Sequence, residues 1–213
     1  ELTNIKKNTF SSYYNVTPIT KISSEKKRSF PWADDSYVYW METDPSLGGI
    51  TSIIKYSLID GQYTNLTSGK YNVRSKIHEY GGIAYTVSGN QVFFVNSDDQ
   101  NIYHIDNNKI SQLTNLNDTR VGEIVTDEND LYFIVEDHSV LEPYPQNYIA
   151  HINLSNPKEI TKIVHGASFY SNISLSPDSK FLSWLQWNLP SMPWESSELY
   201  LGRIDNYNKI SEI

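Results

Sequence analysis

Residues 76 to 85 read "KIHEYGGIAY", and the adjacent His78 and Glu79 are the pair in this stretch with the means to do proton or cation chemistry. A His-Glu pair opens the helical zinc motif in which a second histidine follows four positions after the first, but position 82 is Gly82. Two glycines also oppose a helix, each costing on the order of 1 kcal/mol relative to alanine. The pair therefore belongs to a turn that leads into an apolar strand. The five histidines of the chain are scattered without ligand spacing, so no metal site and no other cofactor is implied.

What positions the pair is legible in the pattern around it. Helical periodicity is almost absent, and short alternating runs rich in Tyr, Val, Ile, Phe and Trp recur between turn residues, the pattern of an all-β chain. The runs come in sets. "YVYWMET", "SIIKYSL" and "YTNLT" form one; "QVFFVNS", "NIYHID" and "ISQLT" the next; "DLYFIVEDH", "NYIAHINL" and "EITKIV" a third; "FLSWLQWN", "ELYLGRI" and "KISEI" a fourth. Aligned on their second runs the sets repeat every 45 to 50 residues or so, a propeller-blade period, and one further apolar strand precedes each of the last three. The sequence thus predicts a β-propeller of about four blades, each of four antiparallel strands, over residues 17–67, 68–114, 118–164 and 168–213. Most of the 16 Tyr and 5 Trp are then inter-blade core.

In such a blade the strands run outward from the axis and alternate in direction. The turns between second and third strands, and the links from one blade to the next, share one end. The first-to-second turns are tight, built from "SGN", "DEN" and "SPDSK". The second-to-third connections are long: "TDPSLGG", "EDHSVLEPYPQ" and "NLPSMPWESS". Long loops tend to carry function. His78 and Glu79 fall at this same end, on the link into the second blade, with Glu136, Asp137, His138, Glu142 and Glu195 as candidate members of an acidic rim. Two readings stand side by side: the rim attracts a cation such as a peptide's amino terminus, or His78 and Glu79 bond backbone groups at a crowded turn.

Composition narrows the field. A net charge of −8 and a pI near 5.1 argue against a nucleic-acid partner, which requires clustered Lys and Arg. No apolar run approaches the roughly 18 residues needed to span a bilayer, so no membrane partner is expected. With no cysteine, disulfides and thiolate sites are excluded and a cytoplasmic or otherwise reducing compartment is expected. The acidic pairs Asp34-Asp35 and Asp98-Asp99 could serve a glycosidase but read as ordinary turn residues.

The stretches "TPIT" (17 to 20), "NVRSKIHEYGGIAYTV" (72 to 87), "EDHSVLEP" (136 to 143), "FYSNISLSPDSKFLSWLQWNLPSMPW" (169 to 194) and "ESSELYLGRI" carry a resemblance. The chain resembles the N-terminal β-propeller of serine peptidases of the prolyl oligopeptidase family, similar to bacterial acylaminoacyl peptidases and dipeptidyl aminopeptidases. The resemblance implies a propeller of about seven blades in the parent, set over an α/β-hydrolase domain that holds Ser, Asp and His. This chain contains no G-x-S-x-G nucleophile elbow; "GASFY" at 166 to 170 lacks the final glycine. No catalytic residue is carried over, and the chain alone is expected to be inactive, with the hydrolase domain absent. Its expected role is to gate and orient a peptide substrate, with Glu79, Glu136 and Glu142 toward the ammonium and Trp187 and Trp194 toward apolar groups or the seam with the hydrolase. Open blade edges imply self-association. The alternative is a free-standing four-bladed scaffold that binds a protein, closed by "NVTPITKI" (15 to 22).

Overall fold

The computed structural model describes residues 26–68, 70–139, 144–205 and 209–212. "TPIT" and "NVTPITKI" lie outside them, as does Glu142.

Among the described residues sixteen strands form four separate four-stranded antiparallel sheets, each a meander of consecutive strands. The first blade is β1 (Lys27–Ala33), β2 (Tyr37–Asp44), β3 (Ile50–Ser57) and β4 (Tyr63–Asn65). The second is β5 (Tyr85–Ser88), β6 (Gln91–Val95), β7 (Ile102–Asp106) and β8 (Lys109–Gln112). The third is β9 (Thr119–Thr126), β10 (Asp130–Asp137), β11 (Gln146–Asn153) and β12 (Ile160–His165). The fourth is β13 (Phe169–Leu175), β14 (Phe181–Trp187), β15 (Glu198–Ile204) and β16 (Ile210–Glu212). The expected all-β propeller is present. No helix among the described residues is long and apolar enough to cross a membrane.

Alternation assigns each strand face to a seam. On β10, Leu131, Phe133 and Val135 pack with Tyr39, Ile53, Phe93 and Phe94 of the first two blades. The intervening Tyr132 and Ile134 pack with Tyr170, Leu182 and Trp184 of the fourth. A strand buried on both faces needs an unbroken apolar run, and "LYFIV" supplies it.

The inner strands β1, β9 and β13 each carry a bulge at which two residues oppose one on the neighbouring strand. Each bulge contains a non-glycine residue in the left-handed region: Phe30 (φ 51°), Glu123 (φ 51°) and Asn172 (φ 54°). These kinks stitch neighbouring blades at the axis. The Tyr85 hydroxyl donates to the Phe30 carbonyl at 2.5 Å, the Glu123 N–H to the Ile83 carbonyl at 2.9 Å, and the Asn172 N–H to the Glu123 carboxylate. Burial pushes the Glu123 carboxyl up, against the pull of the N–H groups of Asn172 and Ile173.

Candidate functional site

The link into β5 folds back on itself before reaching the axis. His78 and Glu79 both adopt left-handed backbone, φ 52° and 67°, followed by Gly81 at φ 82°. A Cβ on Gly81 would lie 2.6 Å from the Ser75 carbonyl oxygen, so only glycine fits. Ser75 anchors the link to the third blade, its hydroxyl donating to the Val121 carbonyl at 2.6 Å.

Glu136, at the end of β10, organises the cluster. It is 4% exposed, and three groups converge on it. The His78 N–H donates to Oε2 at 2.8 Å, His138 Nε2 lies 2.5 Å from Oε1, and Arg120 Nη1 lies 3.4 Å from Oε1. A buried carboxylate demands such compensation. Arg120 Nη1 also donates to Glu79 Oε1 at 2.5 Å and to the Lys76 carbonyl at 3.2 Å. Glu79 differs sharply from Glu136, because its side chain is 82% exposed. The carboxylate that faces solvent here is that of Glu79, while Glu136 holds the link in place.

His78 sits among aromatic rings. Its ring meets Phe169 at 5.3 Å and Trp187 at 5.9 Å, both edge-on, and these two stack on each other at 5.3 Å. Its Nε2 is 3.2 Å from Asn147 Oδ1. Burial holds the imidazole below its ordinary pKa, outweighing the neighbouring Glu136 charge and the Asn147 hydrogen bond, which favour the cation.

The fold therefore brings His78, Glu79, Glu136, His138 and Trp187 together. Trp187 is a buried wall rather than an exposed contact. Asp137 and Glu195 are engaged in their own loops. Asp137 accepts from the Ser139 N–H and hydroxyl at 2.9 and 2.6 Å, and Glu195 accepts from the Met192 N–H at 2.8 Å. Trp194 is 77% exposed. Among the described residues no group of three or more His, Asp or Glu is placed to hold a metal ion.

No protein-family model matches the chain, and no curated protein sequence does. Solved structures do. A Mycobacterium tuberculosis puromycin-hydrolyzing peptidase is 30% identical over 87% of this chain and 31% of its own, with a TM-score of 0.75. The chain is similar to the propeller of prolyl oligopeptidase-family peptidases. A puromycin hydrolase superposes with a TM-score of 0.78 at 20% identity, over 87% of this chain and 31% of its own. The Pyrococcus horikoshii acylaminoacyl peptidase does so at 0.59 and 11%, over 88% of this chain and 32% of its own. At those identities the likeness is one of fold. The chain spans about a third of the length of the peptidases it matches.

The sequence pattern alone did not single out Arg120, Asn147 and Phe169. Arg120 faces Glu136 across the β9–β10 hairpin. An unbulged register continuing from Leu131↔Thr126 would have set Val121 there instead, so the charge pair could not be counted out from the turn.

Proposed function

We propose that the chain is the non-catalytic propeller portion of a serine peptidase. It would be part of a ring of about seven blades that admits peptides and orients them for an α/β-hydrolase domain outside this sequence. One observation carries the reading: a single end of the blades presents the solvent-facing Glu79 together with the exposed Tyr80, Tyr144, Leu189, Met192 and Trp194. Arg120 fixes one oxygen of Glu79, and the carboxylate's exposure leaves room for a peptide ammonium. The apolar side chains at the same end supply contact for a peptide or for a second domain. The 30% identity to a puromycin-hydrolyzing peptidase supports the assignment. The contribution to catalysis is positioning, not bond making.

Two measurements test this. Sequencing past Ile213 should reveal an open reading frame that reaches a G-x-S-x-G segment; an immediate stop codon refutes the peptidase assignment. Calorimetric titration with phenylalanine amide and with its N-acetyl derivative should show the free amine binding about fivefold more tightly. Glu79→Gln should erase the difference. Equal binding of both compounds to the native chain refutes the ammonium role.

A further inference from the structure

Between the third and fourth blades the loop end holds a pocket of about 390 Å³. Its lining includes the apolar Tyr144, Phe169 and Leu189 and the polar Lys162, His165 and Asn147. The wall is fixed in advance of any ligand. Asn147 Nδ2 donates to the Ser168 carbonyl at 2.8 Å, the Ser168 N–H to Asn188 Oδ1 at 2.8 Å, and the Ala167 N–H to the Tyr170 hydroxyl oxygen at 2.8 Å.

Lys162 decides what the pocket takes. Its ammonium rests 4.0 Å from the centre of the Tyr148 ring, and it forms no salt bridge with a carboxylate among the described residues. A cation held by a ring face keeps its charge for an anion. On a chain of net charge −8 the general field repels anions, so a cation without a carboxylate partner, lining the same pocket as His165 and three apolar side chains, gives an anion a local point of attachment.

We propose that this pocket is a carboxylate subsite for the C-terminal end of a short peptide that finishes in a bulky apolar residue. The side chain lies against Tyr144, Phe169 and Leu189, and the terminal carboxylate turns toward Lys162 and His165. This rests on reading the loop end as a peptide-binding face. Asn147 joins the two regions, because it lines the pocket and its Oδ1 is 3.2 Å from His78 Nε2, next to Glu79. A carboxylate for the ammonium and a cation for the carboxylate thus lie on either side of Asn147, an arrangement that selects free short peptides over internal segments of long chains.

The test uses N-acetylphenylalanine and N-acetylphenylalanine amide, neither of which carries an ammonium, titrated into the 213-residue chain. The acid should bind about fivefold more tightly than the amide, and added salt should narrow the gap. Lys162→Met should abolish the preference and Lys162→Arg should keep it; Lys162 is exposed on an outer strand, so both variants should fold. Equal affinity for acid and amide, no binding of the acid, or a preference that survives Lys162→Met overturns the proposal. Phenylalanine amide reports separately on Glu79, so loss of its amine preference with the acid preference intact would refute the ammonium role alone.

Discussion

Arg120 on β9 stands opposite Glu136 on β10, with 3.4 Å between Nη1 and Oε1. The pairing exists because the bulge at Glu123 adds a residue to the inner strand. The same guanidinium reaches the exposed Glu79, so one cation ties the rim to the buried carboxylate that supports it.

Removing that cation should be costly. Arg120→Ala leaves Glu136 buried with only His138 and the His78 N–H. Its loss should lower stability by about 2 kcal/mol, below the range for a fully stripped buried ion. Urea unfolding would measure this, and Arg120→Ala/Glu136→Gln should cost less than the sum of the single changes.

Gly122 lets the link into the second blade lie against β9. A Cβ there would sit 2.6 Å from Ser75 Oγ and 2.9 Å from Ile77 Cγ2. Gly122→Ala should therefore destabilise the chain by roughly 1–3 kcal/mol. At Gly82 a Cβ would meet nothing nearer than Glu123 Cγ at 3.1 Å, so Gly82→Ala should cost less. Thermal melts of the two variants give the comparison.

His78 makes the rim sensitive to acid. Its pKa is depressed by burial, so its contribution to stability is complete above the unfolded value near 6.5 and is lost as pH falls through the lower folded value. The melting temperature of the native chain should drop more steeply between about pH 7 and pH 5 than that of His78→Gln. Parallel curves would contradict the burial of a neutral imidazole.

Among the described residues no other blade packs on one face of the fourth blade. Tyr200 and Ile204 of β15 pack toward the third blade, while Leu199 and Leu201 are 74% and 43% exposed. Patches of this kind promote association. Sedimentation of the isolated chain should show species heavier than a monomer, and Leu199→Lys/Leu201→Lys should shift them toward monomer.

By itself the sequence determined three strands of the first blade, all four of each later blade and the end of the blades that carries the long loops; it did not mark β1 (Lys27–Ala33), whose "KRSFPWA" lacks a clean apolar alternation. Alternation such as "LYFIV" and turns such as "SGN" are local instructions, set by side-chain periodicity and backbone preference. It placed His78, Glu79, Glu136 and His138 at one end because connection lengths and strand direction suffice for that. Only the tertiary structure decided that Glu136 is buried and Glu79 exposed, that Arg120 rather than Val121 meets Glu136, and that Lys162 lines a pocket with Phe169. Those outcomes depend on bulges and on contacts between blades. A slip of one residue reverses which side chain faces the partner, and the bonds that favour the slip, such as the Glu123 N–H to the Ile83 carbonyl, come from residues of the neighbouring blade.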